Sequence, residues 1–185
     1  MPLSTRSVRI PVRDLAIYSV LSAIMLVSRM SLQMVPFVQL LGLIIAAITL
    51  AYRVRALIPL YVYVMLEGIF AGFSLWWLPY IYIWLPLWFV FMLAGKLNLP
   101  KKVKIPLYMV LSGLHGLLFG IMYAPAQAFM FGLTFEGMVA WIVAGLWFDV
   151  MHAIGNFAAG ALIIPLSELL IKLNRDQATQ ATKTR

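Results

Sequence analysis

The sequence predicts an all-α membrane protein, a bundle of six transmembrane helices with both termini in the cytoplasm. Three observations lead to this fold class. The 185 residues are 64% hydrophobic and only 11% charged, with a mean hydropathy of +0.98, which is more apolar surface than a water-soluble domain can bury. Apolar segments fill almost the whole chain between residues 14 and 172, and the basic residues stand in clusters between them.

Six apolar spans can be drawn, each near the roughly 20 residues that cross about 30 Å of hydrocarbon. They cover residues 15–33, 37–52, 56–74, 76–95, 106–130 and 138–171. The second is short, and the last two are long enough to tilt or to extend beyond the interface. We therefore predict a single six-helix membrane domain over residues 1–175. Residues 176–185, rich in Gln, Ala and Thr, are predicted to be a disordered cytoplasmic tail.

The basic residues predict the orientation of the bundle. With the N-terminus inside, thirteen of the fourteen Lys and Arg residues lie on the cytoplasmic side, and only Arg29 lies near the other. The thirteen are Arg6, Arg9, Arg13, Arg53, Arg55, Lys96, Lys101, Lys102, Lys104, Lys172, Arg175, Lys183 and Arg185. This asymmetry follows the positive-inside rule, so we predict a multi-pass protein of the cell membrane. The net charge of +8 is then explained by helix ends, and nucleic acid is not predicted as a partner.

Several kinds of chemistry are excluded by what the sequence lacks. It has no cysteine, which excludes disulfides, zinc–thiolate sites, iron–sulfur clusters and thiol nucleophiles. It also lacks the His-Glu-x-x-His, Gly-x-Ser-Gly and Gly-x-x-x-x-Gly-Lys motifs of zinc proteases, rhomboid-type proteases and phosphate-binding loops. We predict a non-catalytic protein with no metal site and no intrinsic cofactor. The alternative is an intramembrane hydrolase of the prenyl-protease type, since His152-x-x-x-Asn156 resembles one of its motifs, although the paired glutamates are missing.

The sixth span carries polar residues inside an apolar stretch. Trp141, Gly145, Asp149, His152 and Asn156 share one face at helical spacing. An acid in the hydrocarbon layer costs roughly 2.5–3.5 kcal/mol, so this face is predicted to point into the protein or toward a polar ligand. Trp141 and Asp149 are candidate ligand contacts, whereas His152 and Asn156 are expected to brace the floor of the pocket.

The fourth span is unusually aromatic. Trp77, Tyr80, Trp84 and Trp88 lie on one stripe, which favours a flat apolar wall with polar tips for a large ligand. Packing in the protein core is the alternative. We predict that Trp77, Tyr80 and Trp84 contact the ligand.

The fifth span combines small and polar residues on one face. Gly116 and Gly120 have the spacing typical of close helix packing. Tyr123 and Gln127 lie in the outer half of the span and are therefore better candidates for ligand contact. His115 lies just beside this face. We predict that it belongs to the floor of the ligand pocket or to a structural network of polar side chains.

Glu67 lies in the third span, about eleven residues and therefore roughly 16 Å from its cytoplasmic start by helical rise. This places the carboxyl group near the midplane, where it needs a partner or a proton. His115, His152 or Arg29 can supply one, and the sequence does not choose among them. A structural hydrogen bond is favoured over a contact with the ligand.

The first span carries small residues, Ala16, Ser19 and Ala23, on one face. Ser19-x-x-x-Ala23 is a small-xxx-small pair, which lets another helix approach closely. This pattern is compatible with ordinary packing inside the bundle and with docking of a separate membrane subunit.

Together these features resemble the S components of energy-coupling factor (ECF) transporters, a type of ABC transporter. Phe148-Asp149-Val-Met-His152-Ala153-Ile-Gly155-Asn156 is similar to the helix-six signature of many S components. Ser19-x-x-x-Ala23 is similar to their Ala-x-x-x-Ala coupling motif, with Ser in place of the first Ala. The resemblance implies a substrate-binding subunit that captures a vitamin outside and works with a transmembrane coupling subunit and two ATPase subunits. It also implies a pocket in the outer half, built from helices four to six.

Within this family, residues 39–43 and 72–84 look most similar to the cobalamin-specific S components of lactobacilli. A corrinoid is large, apolar across its ring and fringed with amides, so it suits wide aromatic walls with dispersed hydrogen-bonding groups. Folate, biotin and pantothenate carry carboxylates that favour a positive centre, and only Arg29 stands on the outer side. Cobalamin is therefore the first choice of cargo, and another vitamin or precursor, such as pantothenate or a queuosine precursor, is the alternative.

Overall fold

The computed structural model describes residues 11–32 and 39–183, with side chains described through Asn174. Every regular element in these ranges is helical. The eight α-helices are α1 Val12–Leu32, α2 Leu41–Tyr52, α3 Leu57–Ala71, α4 Leu85–Ala94, α5 Lys101–Leu117, α6 Phe119–Phe131, α7 Phe135–Gly160 and α8 Ile163–Lys183. Short 3-10 helices at Arg53–Ala56 and Leu75–Ile81 precede α3 and α4. Arg6, Arg9 and Arg185 lie outside the described residues.

Five helical runs among the described residues are long and apolar enough to cross a membrane. They are Val12–Leu32, Leu41–Ala71, Leu75–Ala94, Lys101–Phe131 and Phe135–Gly160. The second run contains α2 and α3, which count as two spans in the sequence. Arg53 separates these helices with a φ of 58°, a left-handed value that residues other than glycine rarely adopt. The all-helical fold class is thus confirmed, with five or six helices of membrane-spanning character.

The last two predicted spans differ from the helices observed. The fifth is divided at Leu118 into α5 and α6, and the sixth ends at Gly160 before α8 begins. Pro165 explains the second break, since proline has no N–H to donate to the carbonyl of Ala161 and its ring would clash there. In the first turn of α8 the same residue is tolerated. α8 then continues to Lys183, through the segment for which the sequence predicts a disordered tail.

The core of the bundle is formed around α2. Residues 41–49 are all buried, and the helix packs against α4 on one side and α8 on another. A helix that is apolar all round has no face suited to water and is expected to be enclosed. The short second span of the sequence is thus the central helix of the described structure.

Glycines bring α5 and α6 close to α7. A Cβ atom on Gly116 would lie 2.8 Å from the carbonyl carbon and oxygen of His152, and one on Gly120 would meet the carboxylate of Asp149. Such distances mean that only glycine fits without movement of the neighbouring helix. The close packing predicted for Gly116 and Gly120 is therefore observed.

Basic residues from separate helix ends meet at one end of the bundle, which we call the cationic end. Arg53 donates to the backbone carbonyl of Met92 over 2.6 Å, and Arg55 donates to Asp14 over 3.3 Å. Lys101, at the start of α5, forms an ion pair with Glu168 in α8. The segment before α3 is thus joined to the end of α4 and to the start of α1, and the start of α5 is joined to α8.

Candidate ligand-binding site

Aromatic residues of the Leu75–Ile81 segment and its continuation meet those of α6 and α7 in a continuous series, which we call the aromatic wall. The centroid distances are 5.5 Å for Trp76–Tyr80, 5.9 Å for Tyr80–Trp84, 6.0 Å for Trp84–Phe119, 6.2 Å for Phe119–Tyr123 and 5.8 Å for Tyr123–Trp141. Each distance lies in the range of favourable aromatic pairs. Four predicted contact residues, from three separate parts of the chain, are therefore brought together.

Trp84 is the most deeply buried member of the wall, with only 5% of its surface exposed. Its ring stacks on that of His115 at 5.6 Å, and the Nε2 atom of His115 lies 3.0 Å from the carbonyl of Ile83. The indole Nε1 of Trp84 is buried and has no hydrogen-bond partner among the described residues. An unpaired donor costs about 1–3 kcal/mol, so this N–H is a candidate donor to a ligand.

Tyr123 connects the three parts of the wall. Its hydroxyl group donates to the backbone carbonyl of Trp76 over 2.9 Å, and its ring stacks nearly parallel to that of Trp141. Nearby, the hydroxyl of Tyr82 donates to the carbonyl of Met122 over 2.8 Å. These bonds fix the segment before α4 onto α6 and hold the wall in shape. Gln127 is half-buried on α6, one turn beyond Tyr123.

Trp77 lies apart from this series. Its indole N–H donates to the carbonyl of Val64 over 2.7 Å, and its ring meets Phe73 edge-on at 5.0 Å. Trp76, which is not among the predicted ligand contacts, lies beside Tyr80 instead. The spacing of Trp76, Tyr80 and Trp84 by four residues is the signal that identifies this alternative stripe.

Asp149 is buried and caps the start of α6. Its Oδ1 atom accepts a hydrogen bond from the backbone N–H of Gly120 over 3.1 Å. The N–H groups in the first turn of a helix have no partner inside the helix, and a carboxylate there is favoured by both hydrogen bonding and the helix dipole. Asp149 was predicted to contact the ligand, and this bond gives the carboxylate a structural role at the break between α5 and α6.

The capping role predicts a difference between two substitutions of Asp149. Asp149→Ala should lower the free energy of unfolding by about 1–2 kcal/mol, because the N–H of Gly120 loses its acceptor. Asp149→Asn keeps an acceptor oxygen and should lose less than half as much. Denaturant titration of each variant in detergent micelles measures both values. Equal losses for the two variants would show that the negative charge, rather than the cap, matters.

His152 and Asn156 lie where α7 meets the start of α2. The Nε2 atom of His152 is 3.3 Å from the side-chain nitrogen of Gln39, and its ring lies 5.9 Å from that of Phe119. The amide of Asn156 rests against Gly42, where a Cβ atom would be 3.1 Å from its oxygen. Both residues therefore lie at the contact between α7 and the start of α2, and His152 also lies beside Phe119 of the aromatic wall.

Glu67 pairs with Arg29, one of the three partners that the sequence leaves open. The Nε atom of Arg29 lies 2.6 Å from Oε1 of Glu67, whose side chain is only 3% exposed.

The small residues of α1 form an exposed strip. Ala16, Ser19 and Ala23 all face outward from the described bundle. The hydroxyl of Ser19 donates to the carbonyl of Leu15 over 2.9 Å, so its hydrogen-bonding need is met within the helix. The strip therefore presents little polarity and little bulk to an approaching helix.

Comparisons of the chain with models of protein families, with curated proteins and with solved structures found no match.

Proposed function

We propose that this chain is the substrate-binding S component of an ECF-type vitamin importer and that its cargo is cobalamin. The observation that carries the proposal is the aromatic wall, which joins Trp76, Tyr80 and Trp84 to Tyr123 and Trp141. Wide aromatic surfaces with a few polar groups are typical of sites for large, flat ligands. The wall lies in the half of the bundle away from the cationic end, which in the predicted orientation is the outer half.

The charges near the wall favour a neutral, amide-fringed ligand over a carboxylate. Arg29 is the cation predicted on the outer side, and in the structure it is paired with Glu67. A ligand carboxylate would have to compete with Glu67 for this guanidinium. The indole N–H of Trp84 and the amide of Gln127 instead suit the amide groups around a corrin ring.

The proposed partners follow from the same assignment. A transmembrane coupling subunit would dock on the exposed strip formed by Ala16, Ser19 and Ala23, and two ATPase subunits would supply the energy. The chain itself would bind and deliver the vitamin without catalysing a reaction.

Calorimetric titration of the purified chain in detergent with cobalamin tests the proposal. We expect saturable binding, and we expect Tyr123→Ala and Trp84→Ala to weaken it at least tenfold, because each removes a ring from the centre of the wall. Trp147→Ala is the matched control, since Trp147 lies on α7 with 63% of its surface exposed, away from the wall. Gel filtration and thermal unfolding establish that each variant is folded.

The outcomes separate the cargo from the class of protein. Saturable binding of a different vitamin, weakened by the same two substitutions, would retain the S-component assignment and overturn cobalamin. An equal loss of affinity in Trp147→Ala would overturn the site.

In cells that contain an ECF module, Ser19→Leu with Ala23→Leu should abolish uptake while leaving binding by the isolated chain unchanged. Uptake that persists in this variant would show that the coupling subunit does not dock on the exposed strip.

A further inference from the structure

At the cationic end, two neighbouring cavities lie between α1 and the helices around it. One is polar, about 170 Å³, and is lined by Arg13, Asp14 and Arg55 among others. The other is an almost wholly apolar groove of about 350 Å³ along α1 and α8. Ile17, Tyr52 and Asn174 line both, so the polar cavity and the apolar groove are adjacent.

A buried carboxylate fixes the two arginines of the polar cavity. Asp14 accepts from Nε and Nη2 of Arg13, at 3.2 and 2.9 Å, and from Nη1 of Arg55 at 3.3 Å. Its side chain is only 9% exposed, whereas those of Arg13 and Arg55 are 38% and 61% exposed. Each guanidinium has five N–H donors and keeps some that no described residue engages. Two cations around one anion leave a net charge of +1, and guanidinium groups are donors well suited to phosphate oxygens.

The apolar groove adjoins this polar cavity and follows α1. Its walls are Ala16, Val20 and Ile24 of α1 and Leu170 and Leu173 of α8. In a membrane-inserted bundle, a cationic cavity at a helix start lies at headgroup level, and an apolar groove leading from it lies at the level of the acyl chains. A free phosphate would use only the first of these features.

We propose that the two cavities together bind one anionic glycerophospholipid of the adjacent leaflet, with its phosphate at Arg13 and Arg55 and an acyl chain along α1 and α8. The charge of the cavity selects an anionic headgroup, and the adjoining apolar groove selects a lipid over a soluble phosphate. The proposal depends on insertion in a membrane but not on the identity of any transported vitamin. Since Ala16 belongs to both the groove and the exposed strip, a bound lipid would lie next to a coupling subunit docked on that strip.

Native mass spectrometry of the full chain in detergent tests this site. We expect dioleoylphosphatidylglycerol to bind at least fivefold more tightly than dioleoylphosphatidylcholine, which has the same acyl chains. Arg13→Gln with Arg55→Gln should abolish this preference. If the double variant does not fold, Arg55→Gln alone leaves the Arg13–Asp14 pair intact and should reduce the preference at least twofold. Lys102→Gln with Lys104→Gln removes the same charge from the start of α5 and should retain it.

Two further variants test the acyl groove. Val20→Trp places a large side chain in the groove and should weaken both lipids at least fivefold. Val143→Trp, at an exposed position on α7, should change neither affinity. Equal binding of the two lipids by the unmodified chain would overturn the proposal. So would an equal loss of preference in the lysine control, because it would show that overall charge, rather than Arg13 and Arg55, selects the lipid. Displacement of the bound lipid by millimolar glycerol 3-phosphate would also overturn it, because it would show that the apolar groove adds nothing to binding.

Discussion

Replacing Arg29 with alanine is expected to lower the free energy of unfolding by about 3–5 kcal/mol, the cost of leaving one member of a buried ion pair without the other. Glu67 is almost completely buried and lies 2.6 Å from the guanidinium. After the substitution, its carboxylate must either remain charged in an apolar environment or take up a proton. Denaturant titration of the chain in detergent micelles, followed by circular dichroism, measures the loss.

Two controls define the origin of this loss. Arg29→Gln with Glu67→Gln removes both charges and should cost clearly less than Arg29→Ala, because no unpaired charge remains. Lys101→Ala breaks an ion pair whose side chains are 68% and 51% exposed, and should cost no more than about 1 kcal/mol. If Arg29→Ala were as mild as Lys101→Ala, the Arg29–Glu67 pair would not be holding the bundle together.

This pair shows where prediction from the sequence reaches its limit. The position of Glu67 in an apolar span requires a partner, and the sequence reduces the candidates to three residues. The choice of Arg29 depends on α1 packing beside α3, which is a tertiary contact. Helical periodicity describes one helix at a time, so it cannot report which helices become neighbours.

The two tryptophans at the start of the fourth span illustrate the same limit. Hydropathy and spacing predict an aromatic stripe, and the structure contains one. Trp76 and Trp77 are consecutive, however, so they point in different directions and only one can continue the stripe. The carbonyl of Val64, on a different helix, accepts the N–H of Trp77, and Trp76 is left to join Tyr80.

The apolar spans and their cationic ends were accessible from the sequence because hydropathy and charge are properties of local segments. The breaks inside the long spans do not follow from hydropathy and charge, because they depend on single residues within or outside each span. Pro165 gives a local signal for the break before α8. The break at Leu118 has no such signal, because the group that caps α6 is the carboxylate of Asp149, twenty-nine residues after Gly120.

Gly116→Ala is expected to lower the free energy of unfolding by about 1–3 kcal/mol, the usual cost of overfilling a well-packed interior. The added methyl group would lie 2.8 Å from the carbonyl carbon and oxygen of His152 and 2.9 Å from the backbone nitrogen of Ala153. All these atoms belong to the backbone of α7, so they cannot turn aside as a side chain could. Relief requires α5 and α7 to separate along the contact that positions His152 and Asp149.

Gly145→Ala is the matched control, because the same change is made inside a helix where nothing lies within 4 Å of the new Cβ atom. Alanine favours a helix over glycine by about 1 kcal/mol at both positions, so the control should be neutral or stabilising. Thermal unfolding of the two variants in detergent measures the difference directly. If Gly116→Ala unfolded at the same temperature as Gly145→Ala, α5 and α7 would have to be farther apart than the 2.8 Å between a Cβ atom on Gly116 and the backbone of His152 indicates. The position of His152 would then not depend on that contact.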